Sequence, residues 1–155
     1  MVHSRACVYA PFENWRRIDI ADNHAAEQWA QGVQQLVQED YPQATRITLV
    51  MDNLNTHGGA SLYKAFPPHV ARSLLDKLAC VYTPKHGGWL NLAECEFSVL
   101  GWQCLDRRLP DLATVVSEVQ AWTKTRNQSN QPVDWRFTVE VARIKLKRLY
   151  PILSG

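Results

Sequence analysis

Asp52 closes the run Arg46-Ile47-Thr48-Leu49-Val50-Met51-Asp52, and Glu94 and Glu96 stand near the start of a helical pattern that begins about Leu92. Carboxylates are hard oxygen donors. Brought together they grip divalent cations, and two such ions roughly 3.5–4 Å apart activate an attacking oxygen and stabilise a leaving one in phosphoryl transfer. A centre of that kind wants three or more carboxylates. One Asp at a strand end and one Glu on a helix about forty residues later are a weak signal by spacing alone. Asp52 has two readings. It lies where ligands and metals collect in open α/β sheets, at a strand's carboxyl end, or it caps the turn that Asn53, Asn55 and Gly58-Gly59 announce. Glu94 and Glu96 flank the apolar stripe Ala93, Phe97, Leu100 and Cys104 on opposite sides, at about 100° per residue. Periodicity does not choose between them.

The elements that must carry these acids follow from pattern. Residues 46–51 are apolar and β-branched, the mark of a buried strand, and Ala79-Cys80-Val81-Tyr82-Thr83-Pro84 reads as a second one. Ahead of them, 6–10 and 16–20 are strand-like and separated by Pro11-Phe12-Glu13-Asn14-Trp15, which predicts a hairpin with a longer loop. Asp22 or Asn23 caps a helix whose Ala26, Trp29, Ala30, Val33, Leu36 and Val37 repeat at helical spacing up to Tyr41-Pro42. A short helix at 60–66 stops at Pro67-Pro68, and Val70, Leu74, Leu75 and Leu78 suggest another. Strands alternating with helices imply a parallel portion of sheet, hence an α/β fold. The loop 84–91 leads to a helix at 92–105. A further helix from Asp111 shows Leu112, Val115, Val119 and Trp122 on one face. Residues 125–131 read as a polar connector, and a last helix spans about 138–150 with Val139, Ala142, Leu146 and Leu149 inward. Trp15, Trp29, Trp102, Trp122 and Trp135 read as core.

At 155 residues and 46% hydrophobic, the chain is long enough for one domain with a real core. A net charge of +2 is compatible with a nucleic-acid partner without requiring one. Cys7, Cys80, Cys95 and Cys104 show no C-x-x-C spacing, so zinc and a disulfide framework are disfavoured and reduced, buried thiols are expected. No signal peptide and no apolar stretch approaching ~20 residues is found, so a soluble, intracellular protein is expected.

Two stretches carry more than spacing. Val50-Met51-Asp52-Asn53-Leu54-Asn55-Thr56-His57 and the longer Tyr82-Thr83-Pro84-Lys85-His86-Gly87-Gly88-Trp89-Leu90-Asn91-Leu92-Ala93-Glu94-Cys95-Glu96-Phe97-Ser98 resemble, in order, the second and third acidic motifs of bacterial insertion-sequence transposases of the DDE type, in the mariner-like superfamily. Cys104-Leu105-Asp106-Arg107-Arg108 and Trp135-Arg136-Phe137-Thr138 also look like the carboxyl-terminal part of such proteins, so the resemblance covers essentially all of residues 1–155. It implies a ribonuclease-H-like mixed sheet flanked by helices, two Mg2+ (or Mn2+) ions, and cleavage with strand transfer at transposon ends. By motif, Asp52 and Glu94 become the second and third metal-binding, catalytic carboxylates. The implied partners are transposon-end and target DNA and a second copy in a synaptic complex, and the implied location is the bacterial cytoplasm.

One departure is serious. The first acid of such proteins sits on an opening central strand ahead of a segment like 6–10, and here neither that strand, its Asp, nor an amino-terminal helix-turn-helix is found. Asp19 and Asp22 are the nearest acids, one on a strand and one at a helix cap. Lacking that strand, the hairpin at 6–20 must pair with 46–51 or leave two unpaired backbone edges. The expectation is a partial catalytic domain, inactive alone and completed by an upstream polypeptide; the alternative is a noncatalytic nucleic-acid-binding or assembly fragment. Around the acids, His57 and His86 would orient a carboxylate or water or touch a phosphate, against the plain reading of loop histidines. Asn53 would steady Asp52, or is a turn residue. Lys85 and Trp89 suit phosphate attraction and base stacking. Arg143, Lys145, Lys147 and Arg148 form a basic outer face for the DNA backbone, which a solvated face would explain nearly as well. Glu96 is most simply a solvated or salt-bridged helix residue.

Overall fold

The computed structural model describes residues 4–21, 25–52, 57–83, 92–129 and, beyond them, 140, 141 and 144. Strands β1 (Ser4–Ala10) and β2 (Trp15–Ala21) form the expected antiparallel hairpin, with Cys7 opposite Ile18 and Tyr9 opposite Arg16. Asn14 turns the chain between them in the left-handed region, φ 51°, a conformation Asn tolerates better than most residues. Helix α1 (Ala25–Gln35) follows and widens into a π-helical turn at Leu36–Asp40. Then come β3 (Ile47–Met51), α2 (Gly59–Ala65), α3 (Pro68–Asp76) and β4 (Leu78–Tyr82). Strands β3 and β4 are parallel, with Leu49 beside Cys80 and Met51 beside Tyr82. Helix α4 (Leu92–Leu100) runs into a second π-helical turn at Gly101–Leu105, and α5 (Leu112–Gln128) closes the described part.

Alternation along the strands decides what each face meets. In the hairpin, Arg16, Ile18 and Ile20 face α4 and α5, where Leu100, Cys104 and Val119 are buried with Phe97, Val115 and Trp122 around them. The other face meets α1, whose Gly32 carbonyl accepts a hydrogen bond from Arg17 Nη2 at 2.9 Å. A second core gathers Ala30, Val33, Val37, Leu62, Ala71 and Leu74 from α1, α2 and α3 against Ile47, Leu49 and Leu78. Helices thus meet both faces of the antiparallel hairpin and one face of the parallel pair. This mixed α/β arrangement is compatible with the ribonuclease-H-like order expected from sequence.

Several expectations need correction. Among the described residues the antiparallel and parallel parts are two separate two-stranded sheets, so of the two outcomes foreseen for the hairpin, pairing with the strand at 46–51 is not the one realised. Strands β3 and β4 are not buried on both faces: Val50 and Val81, opposite one another in register, are 54% and 48% exposed. A run of β-branched residues does not distinguish a strand covered on one face from one covered on two. Leu78, expected on a helix, opens β4, and Pro68 opens α3, where its fixed φ and missing N–H suit the first helical position. Helix α5 continues through 125–128, displacing most of the expected connector. Trp102 is not core but 83% exposed. Cys104 is buried while Cys95 is exposed. The Asp22/Asn23 cap, Trp135 and most of the helix expected at 138–150 lie outside the described residues; Glu140, Val141 and Ile144 are helical. No helix among the described residues is long and apolar enough to cross a membrane.

Candidate active site at the end of the parallel strands

Asp52 follows β3 directly, and its backbone approach is clamped because Thr83 N–H donates to the Met51 carbonyl at 2.9 Å, extending the parallel ladder to its last residue. The side chain is 38% exposed. Its Oδ1 lies 2.7 Å from His57 Nδ1; a carboxylate oxygen accepts, so Nδ1 carries the proton. The His57 ring is stacked on Trp29 of α1, with centroids 6.1 Å apart and planes 19° from parallel. A carboxylate is thereby oriented by an imidazole, and the imidazole by an indole. Trp29 is the residue that sequence reasoning missed: its place in the apolar stripe of α1 gave it a sufficient structural role, and nothing in the local pattern pointed across to residue 57.

Glu94 lies in the first turn of α4 and is exposed, where a negative charge also complements the helix macrodipole. Glu96 is buried. Its Oε2 is 3.2 Å from Arg16 Nε, and its Oε1 accepts from Arg126 Nη2 at 2.8 Å. Of the two acids that periodicity left equal, one is therefore engaged in an internal ion cluster and the other faces solvent. Asp19, the nearest upstream acid, has its Oδ2 3.1 Å from Arg17 Nε. Asn53, Lys85, His86, Trp89, Arg143, Lys145, Lys147 and Arg148, together with Asp22, lie outside the described residues.

Among the described residues, no group of three or more His, Cys, Asp and Glu side chains stands close enough to hold a metal ion. Asp52 and Glu94 are hard oxygen donors open to solvent, and no cationic side chain pairs with Glu94 among the described residues. Their chemistry fits a divalent cation; their number makes them part of a site.

Comparison with known proteins gives the class. Residues 9–116 match the DDE superfamily endonucleases. The match runs from the end of β1 through Asp52 and Glu94 into α5, and the chain belongs to that family. Neither the curated proteins nor the solved structures gave a match. Membership defines a transposase-like nuclease domain with DNA as its substrate and divalent metal as its usual cofactor.

Proposed function

We propose that the chain is the carboxyl-terminal part of the catalytic domain of a bacterial insertion-sequence transposase of the mariner-like superfamily, acting in the cytoplasm on transposon ends and target DNA. Residues 1–155 form one partial catalytic domain, with Asp52 and Glu94 as two of its metal-binding carboxylates and Mg2+ or Mn2+ as the ion, two in the complete centre. The observation that carries this reading is the Asp52–His57 pair at the end of β3, inside the stretch matched to the family. Bound divalent ions would supply charge neutralisation and activation of the attacking oxygen.

The chain's own residues do the positioning. His57 holds one oxygen of Asp52 and leaves the other for an ion, and Asn53 and His86 support the same cleft. Lys85 and Trp89 receive phosphate and base, while Arg143, Lys145, Lys147 and Arg148 follow the DNA backbone without reading its sequence. An upstream polypeptide supplies the first Asp on a strand that adds to the open sheet edges. The engagement of Asp19 with Arg17 supports looking for that acid elsewhere. Two protomers synapse two ends.

The test incubates labelled terminal-repeat DNA and Mg2+ with the chain alone, and with a polypeptide supplying the upstream segment. Cleavage is expected only in the mixture, and loss of cleavage with Asp52→Asn or Glu94→Gln. Cleavage indifferent to both substitutions overturns the assignment. DNA binding without cleavage in any mixture establishes the noncatalytic alternative.

A further inference from the structure

Glu94 and Glu96 are two residues apart on α4, about 200° around the helix axis, so whatever fixes one fixes the direction of the other. The apolar anchors of α4 lie toward its carboxyl half: Phe97 and Leu100 pack with Cys104, Val119 and the hairpin. Such contacts are non-directional and allow a helix to roll or slide. Glu96 supplies direction in the amino-terminal half. Its two oxygens are held from different elements, Oε2 by Arg16 of β2 and Oε1 by Arg126 of α5.

Both guanidinium groups are themselves held. Arg16 lies over the Tyr9 ring with Cζ 5.2 Å from its centroid, and its Nη2 donates to Asn14 Oδ1 at 2.5 Å. Arg126 lies over Trp122 at 5.5 Å. The Arg126–Glu96 contact is a charge-assisted hydrogen bond, short and directional, while the fully buried Arg16 side chain holds Glu96 Oε2 as an ion pair without a hydrogen bond between Nε and Oε2. No reaction step uses these groups, and nothing in the family match assigns them.

We infer that Glu96 is the positioning residue for Glu94: gripped by Arg16 and Arg126, it sets the roll and height of the first turn of α4 and so the place where the Glu94 carboxylate stands. The inference rests on the reading of Glu94 as a metal-binding carboxylate. Rotating α4 until Glu94 pointed inward would carry Glu96 out of its two ion pairs, so the cluster selects one orientation.

The test is Mn2+ binding to the full chain, read by the electron paramagnetic resonance signal of the free ion, with a thermal melt of each variant beside it. Glu96→Ala and Arg126→Met are each expected to remain folded and to weaken Mn2+ binding about tenfold, the size seen when the residues supporting a metal ligand are lost. In a Glu94→Gln background the same two substitutions are expected to change Mn2+ binding no further. That non-additivity is what a purely structural role would not produce. Glu96→Gln, which keeps the shape and an acceptor for Arg126, is expected to restore part of the loss. Should Glu96→Ala unfold the chain, Arg126→Met decides, because it leaves the Arg16 pair in place. Unchanged binding in folded Glu96→Ala or Arg126→Met, with weakened binding in Glu94→Gln, overturns the positioning role alone. Unchanged binding in both Asp52→Asn and Glu94→Gln overturns the metal-site reading beneath it.

Discussion

At Asp52 the hydrogen bond from His57 and the stack of His57 on Trp29 make a three-residue relay of orientation, from an indole on α1 to a carboxylate at a strand end. Removing the imidazole leaves the carboxylate free to rotate. His57→Ala is expected to lower metal affinity, or cleavage in the completed mixture, by about 10–100-fold with little change in the melting temperature. The thiols give a second contrast at this scale. Burial first, and then the nearby Glu96 charge, pushes the Cys7 thiol from its ordinary 9.0 up to about 12, whereas Cys95 is exposed. Iodoacetamide at neutral pH is expected to label Cys95 and spare Cys7 until the chain unfolds, as peptide mass mapping will read. The pH dependence has a definite direction. Below 9 both states hold the Cys7 proton; between 9 and 12 the unfolded chain releases it and the folded chain does not, so this group lowers stability across that window. Asp52 and Glu94 were legible in the sequence because each belongs to a short local pattern, a strand running into a turn and an acid opening a helix. The fate of Glu96 was not, since its partners come from β2 and α5, far away along the chain.

Among the elements, the hairpin and α5 are joined by side chains acting on backbone. Asn127 accepts from Arg16 N–H at 2.9 Å and donates to the Arg16 carbonyl at 2.8 Å, so its amide occupies the place another strand would take along β2. Asn14 donates to the Arg126 and Ser129 carbonyls at the other end of the contact. Asn127→Ala removes both bonds to Arg16 at once and is expected to cost about 1–3 kcal/mol, measured as a fall in the urea midpoint with an unchanged slope. Removing one member of a buried ion pair costs more, about 3–5 kcal/mol, because the remaining charge has no opposite. Helix positions were largely legible, since α1, α4 and α5 show their apolar stripes, and Asp111 caps α5 by accepting from Thr114 N–H at 2.7 Å. Where α3 gives way to β4 was not, because Leu78 serves either pattern. The end of α5 was missed for a related reason: polar residues at 125–128 describe a solvated helix face as well as a connector.

Over the whole molecule, helices carry the continuity that the strands lack. Helix α1 packs against β3 in one core, and its Gly32 accepts a hydrogen bond from Arg17 of the hairpin, while the two sheets remain separate ladders. The exposed side of β3 and β4, with Val50 and Val81 facing out, adds apolar surface beside unpaired strand edges. Such edges invite pairing with another chain. The isolated chain is expected to self-associate as its concentration rises, and Val50→Thr with Val81→Thr to reduce that association in sedimentation velocity; monomers at every concentration would contradict it. The α/β class and the order of strands were legible from alternation and turn residues. The separation into two sheets was foreseen only as one of two outcomes, because pairing between distant segments leaves no mark on either segment's own pattern.

The clasp on Arg16 has a consequence for biosynthesis. Arg16 leaves the ribosome long before its counter-charge Glu96 on α4, and longer still before Asn127 of α5, which pairs with its backbone, and an arginine cannot be sequestered from water without its counter-charge. The Arg16 face of a nascent hairpin is therefore expected to stay wet until α4 has been made. Premature docking is disfavoured, and a chain interrupted before α4 leaves the Arg16 cation without its counter-charge in the place where a sealed interior should be.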